Sequence, residues 1–77
     1  MREYLIEMRN KLNLSQQDVA DYVGISRQYY NAIENGIRQK KMDITLITKF
    51  SKLFKVTLQM ICDLENEWQK NHSTSAP

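Results

Sequence analysis

The chain has 77 residues, 42% of them apolar and 26% charged, with a formal net charge of +2. That length holds one small domain with a compact core and excludes two. No run approaches the roughly 20 apolar residues of a membrane span, and no charged-then-apolar leader opens the chain. The single cysteine, Cys62, cannot close an internal disulfide, so a cytoplasmic protein without a membrane partner is expected.

Helical periodicity runs through most of the chain. A first helix is expected over about Arg2 to Lys11, burying Leu5 and Met8, with Leu12 one turn on, and Asn13 takes the turn before Leu14. Ser15 followed by Asp18 is a capping-box variant that opens a second helix over about Gln16 to Val23, with Val19, Ala20 and Val23 on one face. Gly24 supplies the positive φ that ends it and Ile25 drops toward the core. Ser26 caps a third helix, about Arg27 to Asn35, which buries Tyr30 and Ile33 and stops at Asn35-Gly36. Ile37 to Met42 reads as a loop carrying Arg38, Lys40 and Lys41. Asp43 caps a fourth helix whose inner face is Ile44, Ile47, Phe50, Ser51 and Phe54. After Lys55-Val56, Thr57 caps a fifth, about 57–69, through Leu58, Ile61, Leu64 and Trp68. Residues 1–70 thus form one domain, and 71–77, polar and aperiodic, read as a disordered tail. No strand pattern competes, and the fold class is all-α.

The charges are unevenly placed. Residues 1–56 hold ten Lys or Arg against six Asp or Glu, whereas residues 57–77 hold Lys70 against Asp63, Glu65 and Glu67. A basic front and an acidic end suit a protein that sets one face on a polyanion and another elsewhere. The pair of helices from Leu14 to Gly36, joined by a tight glycine turn, has the form of a helix-turn-helix. On its second helix Arg27, Gln28 and Asn31 fall between the buried positions, and these are residue types that read base edges. A plain solvated helix face is the alternative for the same three.

So arranged, the chain resembles the Cro/CI-type helix-turn-helix family of phage repressors and xenobiotic-response-element-like regulators. The likeness covers Leu5 to about Leu64. It is carried by Gln16 at the start of the second helix, the small Ala20, Gly24-Ile25-Ser26, Glu34-Asn35-Gly36 and Val56-Thr57-Leu58. Tyr30 stands where Ile or Val is common, so its ring reaches the surface or its hydroxyl finds a partner, and Met42 replaces a frequent proline.

The resemblance implies a compact five-helix, lambda-repressor-like domain that binds double-stranded DNA with its third helix in the major groove. Arg27 would then contact guanine and Gln28 adenine, with Asn31 and Tyr29 in support. Gln16, Ser26, Asn35, Arg38, Lys40 and Lys41 would hold phosphates. Arg9 and Glu34 occupy positions that form a partly buried ion pair in several members. Most relatives bind palindromes as twofold dimers, and Met60, Ile61, Leu64 and Trp68 offer an interface, unless Trp68 folds back over its own core.

Other chemistry is poorly represented. His72 sits in the expected tail, far from Cys62, which lies beside Ile61 as a structural thiol. No Cys/His cluster has metal spacing, no glycine-rich loop could cradle a phosphate, and no second domain is present for a small-molecule ligand. No enzyme, cofactor or metal is expected. The main expectation is a homodimeric, repressor-like transcriptional regulator. An antitoxin-like protein, or an interaction module whose acidic C-terminal helix binds a partner protein, is the alternative.

Overall fold

A computed structural model describes residues 1–72. The chain forms α1 (Glu3–Lys11), α2 (Gln16–Val23), α3 (Arg27–Glu34), α4 (Ile44–Phe54) and α5 (Leu58–His72), with no strand among the described residues. The starts of α2 to α5 are written in short polar side chains, whereas α1 opens at Arg2 with no side-chain cap. The Ser15 hydroxyl accepts from the Asp18 amide at 3.0 Å, while the Asp18 carboxylate accepts from the Ser15 amide at 2.9 Å, a closed capping box. The amide first and the hydroxyl second hold the Asp18 carboxyl below its usual range. The box therefore stabilises the fold above ordinary carboxylate pKa values and loses its effect as pH falls through the lowered one. Ser26 and Asp43 cap α3 and α4 through the amides of Tyr29 and Leu46, and the Thr57 hydroxyl accepts from the Met60 amide.

Left-handed residues stand at or just past the ends of four helices: Asn13, Gly24, Gly36 and Lys55. Gly24, at φ +81, ends α2 with nothing within 4 Å of where a Cβ would stand, so conformation alone calls for glycine there. Lys55 ends α4 at φ +58 without being glycine. The turn holds because Ser51, itself buried, donates its hydroxyl to the Val56 carbonyl at 2.7 Å and accepts the Val56 amide on its own carbonyl.

The core joins Leu5 of α1, Val19, Ala20 and Val23 of α2, Tyr30 and Ile33 of α3, the inner face of α4, and Ile61 of α5. Phe50 sits at its centre, edge-on to Tyr30 and stacked on Phe54. Tyr30 is fully buried, contrary to a ring reaching the surface. Its hydroxyl completes no hydrogen bond among the described residues, although Arg9 and Glu34 lie beside it. Burial first, then the Glu34 carboxylate, holds its proton on far beyond the usual phenol range.

Three expected core positions are corrected. Leu12, Ile44 and Leu58 are exposed, at 42%, 66% and 45%. Each stands at a helix end, where the apolar stripe runs off the core. In α4 the buried face is instead Leu46, Ile47, Phe50, Ser51 and Phe54. Helix α5 runs on to His72, beyond the expected 69, taking in the first two residues assigned to a tail. The rest of that tail, 73–77, lies outside the described residues.

Candidate nucleic-acid interface

Helix α3 packs on α2 through Tyr30 and Ile33, and α2 answers with Val19, Ala20 and Val23. Those buried positions leave Arg27 and Gln28, in the first turn of α3, exposed, and Asn31 half-buried one turn on. Exposed donors and acceptors at the start of a short helix can enter a groove without disturbing the core.

Asn31 is not a loose side chain. A line of hydrogen bonds runs from the buried Glu34 carboxylate outward across the face. Arg9 Nε donates to Glu34 Oε2 at 2.8 Å, with Nη2 on Oε1 at 3.4 Å. Gln16 Nε2 donates to Glu34 Oε1 at 2.9 Å. Asn31 Nδ2 donates to Gln16 Oε1 at 3.2 Å, and Asn35 Nδ2 donates to Asn31 Oδ1 at 3.0 Å. Because each amide both accepts and donates, the anion at the inner end sets which way all three amides point. The Arg9–Glu34 pair thus does more than clip α1 to α3: it orients Gln16 and Asn31. Asn31 keeps one N–H and Asn35 keeps its carbonyl oxygen for a ligand.

Tyr29 is placed differently from the expectation. Its ring packs against the core and its hydroxyl accepts from Gln39 Nε2 at 2.7 Å. It buttresses the loop after α3 rather than standing free to touch a base. The Ser26 hydroxyl accepts from the Tyr29 amide as the helix cap and keeps its proton to donate.

The loop side chains Arg38, Lys40 and Lys41 are exposed. Their backbone faces the other way. The carbonyls of Arg38 and Gln39 accept from the Arg2 guanidinium, and that of Lys40 accepts from Gln69 Nε2. With its carbonyls turned inward, the loop presents its cations outward beside α3. Neither Arg2 nor Glu65, which anchor this arrangement, was singled out from the sequence.

The interface residues expected on α5 divide. Ile61 is fully buried in the core of a single chain and cannot meet a partner, which corrects that assignment. Trp68 folds back: its indole N–H donates to the Met1 carbonyl at 2.9 Å and its ring lies 4.3 Å from the Arg2 guanidinium carbon. It covers its own chain rather than anchoring another. Met60 and Leu64 do line an open apolar groove of about 260 Å³, together with Met8, Leu12, Phe54 and Val56. Glu7 and Lys11, one turn apart on α1, stand along it.

A model described as helix-turn-helix matches residues 5–61 of the chain. No curated protein and no solved structure matches it.

Proposed function

Because the chain belongs to the Cro/CI-type helix-turn-helix family, whose members are DNA-binding regulators, we propose that it is a repressor-like, sequence-specific transcriptional regulator acting in the cytoplasm. Two copies bind a palindromic operator, each laying α3 in the major groove. The observation that carries this reading is the outward face of α3: Arg27 and Gln28 are exposed in the first turn, and Asn31 is oriented by the line of amides ending on Glu34. Arg27 is suited to the paired acceptors of guanine and Gln28 to adenine. Gln16, Ser26, Asn35, Arg38, Lys40 and Lys41 hold phosphates and set the register.

Selection of bound duplexes from a random pool tests the reading. A palindromic consensus is expected, with half-sites about 34 Å apart. Arg27→Ala then weakens binding to that consensus by about 1–3 kcal/mol and relaxes the preference at one position, while hardly altering binding to unrelated DNA. A variant that loses both affinities equally assigns Arg27 to a phosphate instead.

The second copy docks on the groove between α1 and α5. A twofold contact must be self-complementary, and the residues along this groove allow it: the exposed Leu12 and Met60 can reach the partner's apolar floor while Glu7 faces the partner's Lys11. Leu12, exposed in one chain, is covered there with Met60 and Leu64. Met60→Asp is expected to leave a monomer in sedimentation equilibrium, whereas Trp68→Phe still dimerises. Self-association unchanged by Met60→Asp rejects this interface.

A further inference from the structure

Arg2 is fully buried, and each of the five N–H bonds of a guanidinium has its own acceptor here. Nε donates to Glu65 Oε1 at 2.9 Å and Nη2 to Glu65 Oε2 at 3.0 Å, a two-pronged ion pair. Nη1 donates to the Ile33 carbonyl, in the last turn of α3, at 2.6 Å and to the Arg38 carbonyl at 3.2 Å. The second Nη2 hydrogen goes to the Gln39 carbonyl. The Arg2 amide donates to the Glu34 carbonyl at 2.6 Å. A cation is thus seated at the C-terminal end of α3, where the helix dipole favours it.

The surroundings leave little play. The Glu65 carboxylate also accepts from the Tyr4 hydroxyl at 2.5 Å and from Gln69 Nε2 at 2.9 Å. Burial, then that bond to Glu65, holds the Tyr4 proton on. Trp68 lies over the guanidinium and also against Gly36: a Cβ at Gly36 would stand 2.9 Å from its Cζ2. Gln39 is held at φ +54, a left-handed conformation that a non-glycine residue adopts only when its neighbours impose it. Its carbonyl is taken by Arg2, its amide nitrogen by Tyr29, and its amide oxygen by the Asp43 amide. Arg2, Glu65 and Trp68 all lie outside the segment that the family model matches.

We infer that Arg2, braced by Glu65 and Trp68 of α5, is a positioning residue for DNA binding: it turns the Arg38 and Gln39 carbonyls inward, as Gln69 does that of Lys40, and so sets Lys40 and Lys41 against the phosphates. Arg2 touches no DNA itself and acts through the loop. The inference rests on the reading of that loop as a phosphate clamp.

The test is the salt dependence of binding to a short labelled duplex, measured with the full chain. The variants are Gln69→Ala, Arg2→Lys, the pair Lys40→Ala with Lys41→Ala, and each of the first two combined with that pair. Each lost phosphate contact makes the slope of log affinity against log salt shallower by about 0.9. Gln69→Ala is expected to flatten it by about one contact and Arg2→Lys by one or two. Both effects should vanish on the background that already lacks the lysines, as they do when two changes act through one element. If Gln69→Ala and Arg2→Lys weaken binding by the same factor with or without the lysines, and the slope stays put, they act through the fold alone and the inference is overturned. Should Arg2→Lys not fold, Gln69→Ala decides by itself. A slope that the lysine pair alone leaves unchanged marks a different failure, that of the phosphate clamp, and the positioning role falls with it.

Discussion

Glu34→Ala is expected to cost about 3 kcal/mol, which on a domain of this size lowers Tm by roughly 15 °C. The Glu34 side chain is 3% exposed and that of its partner Arg9 16%. Removing the carboxylate leaves a largely buried guanidinium and the Gln16 amide without their acceptor. The orphaned cation, more than the lost attraction, sets the size of the effect, because desolvation already consumed most of what the pair gains. Replacing both members, Arg9→Met with Glu34→Leu, should therefore recover most of the stability. That double variant would still bind DNA more weakly, since Gln16 and Asn31 lose the anion that orients them. Thermal unfolding followed by circular dichroism checks the first claim. A drop of only a degree or two would mean that solvent screens the pair.

Phe50→Ala is expected to be at least as damaging, at about 3–5 kcal/mol. Phe50 is fully buried and touches both neighbours of the aromatic row, with ring centroids 6.1 Å from Tyr30 and 5.9 Å from Phe54. Its loss opens a cavity where α3 meets α4. A chain of this length has a total stability on the order of 5–10 kcal/mol, so the variant should be substantially unfolded near body temperature. Urea titration gives the number directly. A cost under about 1.5 kcal/mol would show that α4 collapses onto α3 and refills the space.

Local signals carried the fold. Ser15 with Asp18, Gly24, Ser26, Asp43 and Thr57 each state a boundary through a hydrogen bond spanning three or four residues, and each is found where the periodicity places it. The same locality explains the failures at Leu12, Ile44 and Leu58: periodicity marks a face but not where the core stops covering it. Within the candidate interface, the exposure of Arg27 and Gln28 followed from the burial of Tyr30 and Ile33. The fate of Tyr29 did not, because its partner Gln39 lies in a loop whose path no local rule describes.

Arg2 and Glu65 are the larger omission. They stand 63 positions apart, so no spacing rule joins them. A signal did exist in each half. Glu65 falls four residues after Ile61 and three before Trp68, on the apolar stripe of α5, and Arg2 falls one turn before Leu5 on that of α1. A carboxylate and a guanidinium both at inward positions are each untenable alone and satisfied together. Charges that break a hydrophobic stripe deserve to be read as a request for one another.

That separation also orders the events by which the molecule is made. The α2–α3 contacts close over short stretches of chain and can form early. The Arg2–Glu65 bridge joins residues 63 positions apart and gains nothing until both ends have arrived. On a ribosome, a chain that has emerged only as far as α4 already holds the helix-turn-helix, while the 38–41 segment still lacks its anchor on α5. The placing of the 38–40 backbone is thereby deferred until α5 has emerged, and a copy cut short before α5 would keep the helix pair without the anchored loop beside it.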